Sequence, residues 1–323
     1  MDIRQMTVVC SGKIREAALA KLADKVQLLT WQQGGRVPAA TLAEWLAKAD
    51  ALYSIANLKI DAQLLAQAPH LKVVGQASVG YDNIDLQACQ DRHVRVGNTP
   101  GVLVDAVADL AYGLLLDTAR NITRGDRHVK SGAWGQRKGL GFGVDLAGKT
   151  LGIVGMGSIG SAVVKRARAS GLQVIYHNRH ENPQAKTLQV PYVNWEELLT
   201  TADFVLCCVN LNPSTVKLFN AAAFAKMKDG VRFVNISRGK VVDTEALVAA
   251  LESGKVAAAG LDVTDPEPLP GDHPLTRLNN VTITPHIASS TLETRDAMAV
   301  LTAENILAAL QGLPMPAEVK IKD

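Results

Sequence analysis

Lys149-Thr150-Leu151-Gly152-Ile153-Val154 runs directly into Gly155-Met156-Gly157-Ser158-Ile159-Gly160, and this junction settles what kind of chain this is. Residues 149–154 form a short apolar run that reads as a buried strand. A helical run comes next over 158–170, and then a second strand-like run over 173–176. Strand, glycine turn, helix and strand in that order make one parallel βαβ unit. In such a unit the first glycine makes the tight turn, the second lets the backbone approach a pyrophosphate, and the third lets the helix pack against the strand. N–H groups at the start of the helix then hold the phosphates. Gly155, Met156, Gly157, Ser158, Ile159 and Gly160 are therefore candidate dinucleotide-binding residues.

The same alternation extends in both directions, so the fold class is α/β with parallel sheets. Upstream, strands are expected at 7–10, 26–29, 51–54, 73–76 and 94–97, separated by helices such as 42–48. Asn98-Thr99-Pro100-Gly101 breaks the pattern and reads as a hinge, because proline and glycine disfavour continuing either element. A long helix is expected over 104–130. Its Val107, Leu110, Ala111, Leu114 and Leu115 occupy several faces, which points to burial between units or subunits. A last helix over 293–310 is placed to return to the first domain. A length of 323 residues favours two domains over one enlarged core.

Composition narrows the function classes. Hydrophobic residues at 47% and charged residues at 20% describe a globular chain. A formal net charge of +3, with no run of like charges, gives no reason to expect nucleic acid or an anionic membrane as a partner. No segment offers the ~20 apolar residues of a membrane span, and the first residues lack an apolar leader, so a cytoplasmic location is expected. Cys10, Cys89, Cys207 and Cys208 show no metal-binding spacing, and no metal is expected. Cys207 and Cys208 sit in an apolar run and read as buried and inert.

Three later strands end in polar residues, where ligands of open parallel sheets bind. Residues 233–236 lead to Ser237-Arg238-Gly239, residues 258–261 lead to Asp262 and on to Glu267, and residues 281–284 lead to Pro285-His286. Each residue alone has a bland structural reading. Together they match the reduction of a 2-oxo acid, which needs a cation for the carboxylate and carbonyl and a proton donor for the new alkoxide. It also needs a carboxylate that keeps that donor protonated. Arg238, His286 and Glu267 supply one of each.

With these residues placed, the chain resembles the D-isomer-specific 2-hydroxyacid dehydrogenase family over essentially its whole length. Beyond the glycine turn, the resemblance rests on Asn235-Ile236-Ser237-Arg238-Gly239-Lys240-Val241-Val242-Asp243, on Ala259-Gly260-Leu261-Asp262-Val263 with Glu267-Pro268, and on Thr284-Pro285-His286-Ile287-Ala288-Ser289-Ser290. It implies that Arg238 binds the substrate, that His286 exchanges the proton while paired with Glu267, and that Asp262 contacts the nicotinamide amide. Ser78-Val79-Gly80-Tyr81-Asp82-Asn83-Ile84-Asp85 resembles a family loop whose N–H groups, at Val79 and Gly80 here, receive the substrate carboxylate. The implied architecture is a doubly wound Rossmann domain over 99–287, inserted into a smaller flavodoxin-like substrate domain made of 1–98 and 288–323. A homodimer is implied as well.

Within the family, glyoxylate/hydroxypyruvate reductases and 2-ketogluconate reductases are the most similar groups, and the choice among their substrates stays open. Phosphite-oxidising relatives carry a lysine where this chain has Val79, which argues against phosphite. Some glyoxylate reductases place a tryptophan a few residues beyond the position of Trp134, whereas Gln136-Arg137-Lys138-Gly139 stands here. The second strand of the nucleotide unit runs into His177-Asn178-Arg179, with no carboxylate before Glu181. An NAD-specific unit carries an acidic residue there for the ribose hydroxyls. His177 is read as taking its place, and Arg179 as facing a 2'-phosphate. NADP(H) is thus expected to be preferred, with NAD(H) possible. The rival reading is a dinucleotide-sensing, corepressor-like binding protein of the same fold.

Overall fold

In the computed structural model, which describes residues 2–31, 33, 37–55 and 58–320, the chain divides into two compact units. One comprises Met1–Leu103 and Ser290–Asp323, the other Val104–Ser289. The first unit is built on five parallel strands: β1 (Thr7–Cys10), β2 (Gln27–Leu29), β3 (Ala51–Ser54), β4 (Val73–Gln76) and β5 (Arg95–Gly97). Their order, β2-β1-β3-β4-β5, is the flavodoxin-like one. All residues of β1, β3 and β4 are buried, which is why these strands read as unbroken apolar runs rather than alternating ones.

The two faces of that sheet carry separate cores. Val9, Leu52, Val74 and Val96 pack with Leu46, Leu65 and Cys89 on one side. Val8, Cys10, Tyr53 and Val73 meet Ala299, Ala303 and Ile306 of the helix Leu292–Leu310 on the other. The last helix thus returns to the first sheet, as its sequence position suggested. Two glycines make room for it. Gly75 and Gly97 lie opposite each other in the β4–β5 register. A Cβ on Gly75 would sit 2.8 Å from Ile306 Cγ1, and one on Gly97 2.5 Å from Met315 Cε.

The second unit holds β6 (Thr150–Val154), β7 (Gln173–His177), β8 (Phe204–Cys207), β9 (Val231–Asn235), β10 (Val256–Leu261) and β11 (Val281–Ile283). The parallel order is β11-β10-β9-β8-β6-β7. Outside β7, where a doubly wound sheet carries one more strand, only a parallel bridge between Tyr176 and Tyr192 remains. Gln189 at φ 51° and Pro191, which has no N–H to donate, keep that segment from extending. No helix among the described residues is long and apolar enough to cross a membrane.

The expected helix over 104–130 is two helices, Val104–Arg120 and Ile122–Lys130. Asn121 separates them in the left-handed region at φ 56°, a conformation asparagine tolerates better than most residues. The Asp117 carboxylate accepts the Thr123 N–H at 2.6 Å and satisfies the start of the second helix. The apolar faces of the first helix also have a different cause from the one expected. Val107, Ala108, Ala111, Leu114 and Leu115 are buried within their own unit, where the helix lies on β9, β10 and the helix Ser158–Ala169. A Cβ on Gly260 of β10 would come within 2.9 Å of Leu114 Cβ.

Candidate active site

Three neighbouring strands, β9, β10 and β11, deliver the titratable residues at their carboxyl ends. β9 ends at Asn235, whose buried amide organises the turn into Ser237 and Arg238. Its Oδ1 accepts the Ser237 N–H at 3.0 Å and the Ser237 hydroxyl at 2.8 Å, and its Nδ2 donates to the Arg238 carbonyl at 3.1 Å. Arg238 is thereby held extended and half-buried, its Nη1 donating to Ser237 O at 2.9 Å. The next residue has to be glycine. A Cβ on Gly239 would lie 2.0 Å from the backbone of Thr264.

β10 ends one residue before Asp262, which is only 1% exposed. Its carboxylate accepts the Thr284 hydroxyl at 2.6 Å, the Ile287 N–H at 2.8 Å and the Ala288 N–H at 2.9 Å. Its carbonyl accepts the His286 N–H at 2.9 Å. A buried carboxylate needs such donors, and here they come from the loop after β11. This bracing role was not visible in the sequence, although an aspartate directly after a largely buried strand is the signal that could have raised it. His286 sits inside the braced loop at φ 54°, outside the usual range for a non-glycine residue.

The His286 ring donates from Nδ1 to Glu267 Oε1 at 2.7 Å, which leaves Nε2 free to exchange a proton. Glu267 Oε2 accepts the Thr264 N–H at 3.3 Å. Burial opposes the negative charge on Glu267. The hydrogen bond and charge of His286, the Thr264 N–H and the charge of Arg238 outweigh it and hold the carboxyl below its ordinary value. The structure therefore brings Arg238, Glu267 and His286 into one electrostatic group. Cys207 is buried, with its Sγ 3.2 Å from Ser237 Oγ, whereas Cys208, expected to be buried as well, is partly exposed because it follows the last residue of β8. Burial pushes the Cys207 thiol up to about 11, and Cys208 is raised as well.

The glycine turn after β6 has the shape a pyrophosphate requires. Gly155 adopts φ 101°, and a Cβ there would lie 2.7 Å from the Cys208 backbone. Beside Gly157 there is open space, and a Cβ on Gly160 would meet Gly155 O at 2.8 Å. The helix Ser158–Ala169 starts from Gly157 with no side-chain cap, so its first N–H groups are available to an anion. At the end of β7 the structure departs from the sequence reading. His177 Nδ1 donates to Val193 O at 2.9 Å and the ring stacks on Tyr192, because β7 continues through it and turns the ring toward residues 192–195. It is Asn178 that reaches the glycine turn, accepting the Met156 N–H at 2.7 Å, while Asn182 donates to Met156 O at 2.5 Å. Arg179 is exposed on the same loop.

In the first unit, the loop after β4 presents Val79 and Gly80, both half-buried. Val79 O accepts from Asn98 Nδ2 at 2.8 Å, and Gly80 O accepts from Ser78 Oγ at 2.6 Å. Gln76 Nε2 supports the loop from below through Ser78 Oγ at 3.0 Å and Asn83 Oδ1 at 3.2 Å.

Residues 112–288 match the family described as D-isomer specific 2-hydroxyacid dehydrogenase, NAD binding domain. The chain belongs to the D-isomer specific 2-hydroxyacid dehydrogenases. This dehydrogenase is 41% identical over 326 residues to the human glyoxylate reductase/hydroxypyruvate reductase, covering 99% of each chain. It also resembles a solved protein from Thermus thermophilus, with a TM-score of 0.90, 43% identity, and coverage of 98% of this chain and 100% of that one. A Sinorhizobium meliloti structure, described as an NADPH-dependent glyoxylate/hydroxypyruvate reductase in complex with NADP and malonate, matches with a TM-score of 0.86 and 30% identity. That match covers 97% of this chain and 96% of that one. The dehydrogenase is thus an NAD(P)-dependent enzyme whose two-domain α/β fold is shared along its whole length.

Proposed function

We propose that this dehydrogenase reduces glyoxylate and hydroxypyruvate to the corresponding 2-hydroxy acids, of D configuration where a stereocentre forms, with NADPH preferred over NADH. The observation that carries the reading is the His286–Glu267 pair at 2.7 Å, with the charge of Arg238 acting on the same carboxylate. When bound, the nicotinamide supplies the hydride. Arg238 holds the substrate carboxylate and polarises the carbonyl, and the N–H groups of Val79 and Gly80 receive the same carboxylate. His286, oriented through Nδ1 by Glu267, gives the Nε2 proton to the alkoxide as it forms. Asp262 accepts three hydrogen bonds within the protein. A carboxylate has about four lone-pair sites, so one is left for the carboxamide of the nicotinamide.

For the cofactor, the residues from Gly155 to Gly160 would cradle the pyrophosphate, and Asn178 with Arg179 would meet the adenosine end. Asn178 takes the Met156 N–H without bringing a negative charge, so the asparagine does not repel a 2'-phosphate. The Sinorhizobium relative described as NADPH-dependent supports the preference. A charge-assisted bond from Arg179 of ~1.5–3 kcal/mol corresponds to roughly 10- to 150-fold discrimination. Specificity constants for NADPH and NADH should therefore favour NADPH in the wild type, and Arg179→Ala should bring the two together. A wild type that favours NADH would reverse the assignment.

The functional reading is tested by NADPH oxidation with glyoxylate, hydroxypyruvate and 2-ketogluconate. Turnover of the first two is expected. Tight NADPH binding with no turnover of any 2-oxo acid would replace the enzyme by a sensor of the dinucleotide. A homodimer is part of the same proposal, supported by exposed apolar side chains after the first helix of the second unit: Ile122, Val129, Trp134 and Phe142.

A further inference from the structure

Three successive peptides in the loop after β4 have their carbonyls tied down. Ser78 O accepts the Thr99 N–H at 3.0 Å, Val79 O accepts Asn98 Nδ2 at 2.8 Å, and Gly80 O accepts Ser78 Oγ at 2.6 Å. A planar trans peptide points its N–H opposite to its C=O. Each anchor therefore aims the next N–H, that of Val79, Gly80 and Tyr81 in turn, away from itself. Among the described residues none of these three N–H groups has a hydrogen-bond partner. Unpaired backbone N–H groups are the donors from which anion sites are built.

The anchors differ in kind. Thr99 acts through its backbone and Ser78 acts on its own loop, whereas Asn98 reaches Val79 by side chain from 19 residues away. Asn98 is itself fixed. It is 9% exposed, its N–H donates to Ala317 O at 3.1 Å, and its carbonyl accepts Nδ2 of the fully buried Asn305 at 2.9 Å. A residue so held can hold another.

We propose that Asn98 is a positioning residue for the substrate carboxylate: its Nδ2 fixes the Val79–Gly80 peptide so that the Gly80 N–H faces the oxo acid. The inference rests on the proposed function, in which this loop receives the carboxylate. Asparagine suits the task because Val79 O can only accept. Aspartate in the same space would set acceptor against acceptor and turn the peptide over.

The test compares wild type, Asn98→Ala and Asn98→Asp on glyoxylate and on glycolaldehyde, which keeps the reactive carbonyl and lacks the carboxylate. The variants should raise KM for glyoxylate about tenfold or more with kcat within about twofold, the pattern of lost uniform binding. Glycolaldehyde kinetics and the Kd for NADPH should stay at wild-type values. Equal losses on both substrates would mean a merely structural residue, and a glyoxylate KM within about twofold of wild type would remove the role altogether. Should Asn98→Asp fail to fold, Asn98→Ser shortens the donor without burying a charge and is read the same way. A wild type inactive on every 2-oxo acid would overturn the functional reading, and Asn98 with it. An active wild type whose variants match it would overturn the Asn98 inference alone.

Discussion

His286 combines a left-handed backbone with a short contact to Glu267, and in the proposed reaction it is the proton donor. His286→Ala removes transition-state proton transfer, an effect worth ~100- to 10,000-fold in turnover. Fluorescence titration should meanwhile find NADPH binding unchanged. A fall in kcat of less than about tenfold would remove His286 from the reaction. Glu267→Gln deletes the charge beside the ring, so the pH profile of kcat for reduction should shift, while NADPH binding should stay unchanged. The carboxyl of Glu267 is held below its ordinary value of 4.5. Its pairing therefore stabilises the fold above that value and is lost as pH falls through the lowered one. The grouping of Arg238, Glu267 and His286 was legible in the sequence because each comes after a strand-like run and the proposed chemistry needs one of each type. The positions of Asn98 and the bracing by Asp262 were not, since they depend on which distant groups these residues bond, and hydrogen-bond partners across the fold leave no local pattern.

Among the elements, the strands were the most legible. β1, β3 and β4 have the expected limits because buried parallel strands are continuous apolar runs between polar turns. The break at Asn121 escaped because asparagine is an ordinary helix residue by propensity, and the Asp117–Thr123 hydrogen bond that favours its left-handed turn is specific to the fold. His177 was misplaced for a related reason, since one more residue of β7 decides which way its ring faces. The packing of the helix Leu292–Leu310 over Gly75 and Gly97 yields a prediction of its own. Gly75→Val drives a branched side chain into Ile306 and Thr302, which already lie 2.8–3.0 Å from a Cβ at that site. Overpacking of this kind costs typically about 1–3 kcal/mol, so the denaturation midpoint should fall measurably. Unfolding at the wild-type midpoint would show that the helix is not seated there.

For the molecule as a whole, Ile122, Val129, Trp134 and Phe142 are 58%, 53%, 70% and 100% exposed, and the proposed homodimer is expected to cover apolar side chains of this kind. Sedimentation should find a dimer, and Val129→Asp combined with Phe142→Asp should give a monomer. A wild-type monomer at micromolar concentration would end that proposal. The insertion of one unit into the other was implied by family resemblance rather than by periodicity, because alternating strands and helices do not say which sheet a returning helix will join. That insertion has a consequence during synthesis. The ribosome delivers residues 1–103 first, yet the helix that covers one face of their sheet begins only at Leu292. At typical elongation rates the gap lasts on the order of 10–40 s. Through that interval Tyr53 and Val73 lack Ala299, Ala303 and Ile306, and of the helices on that face only Glu16–Leu22 is in place, so the nascent chain presents a half-covered apolar sheet to chaperones while the later unit, continuous in sequence, completes its own core.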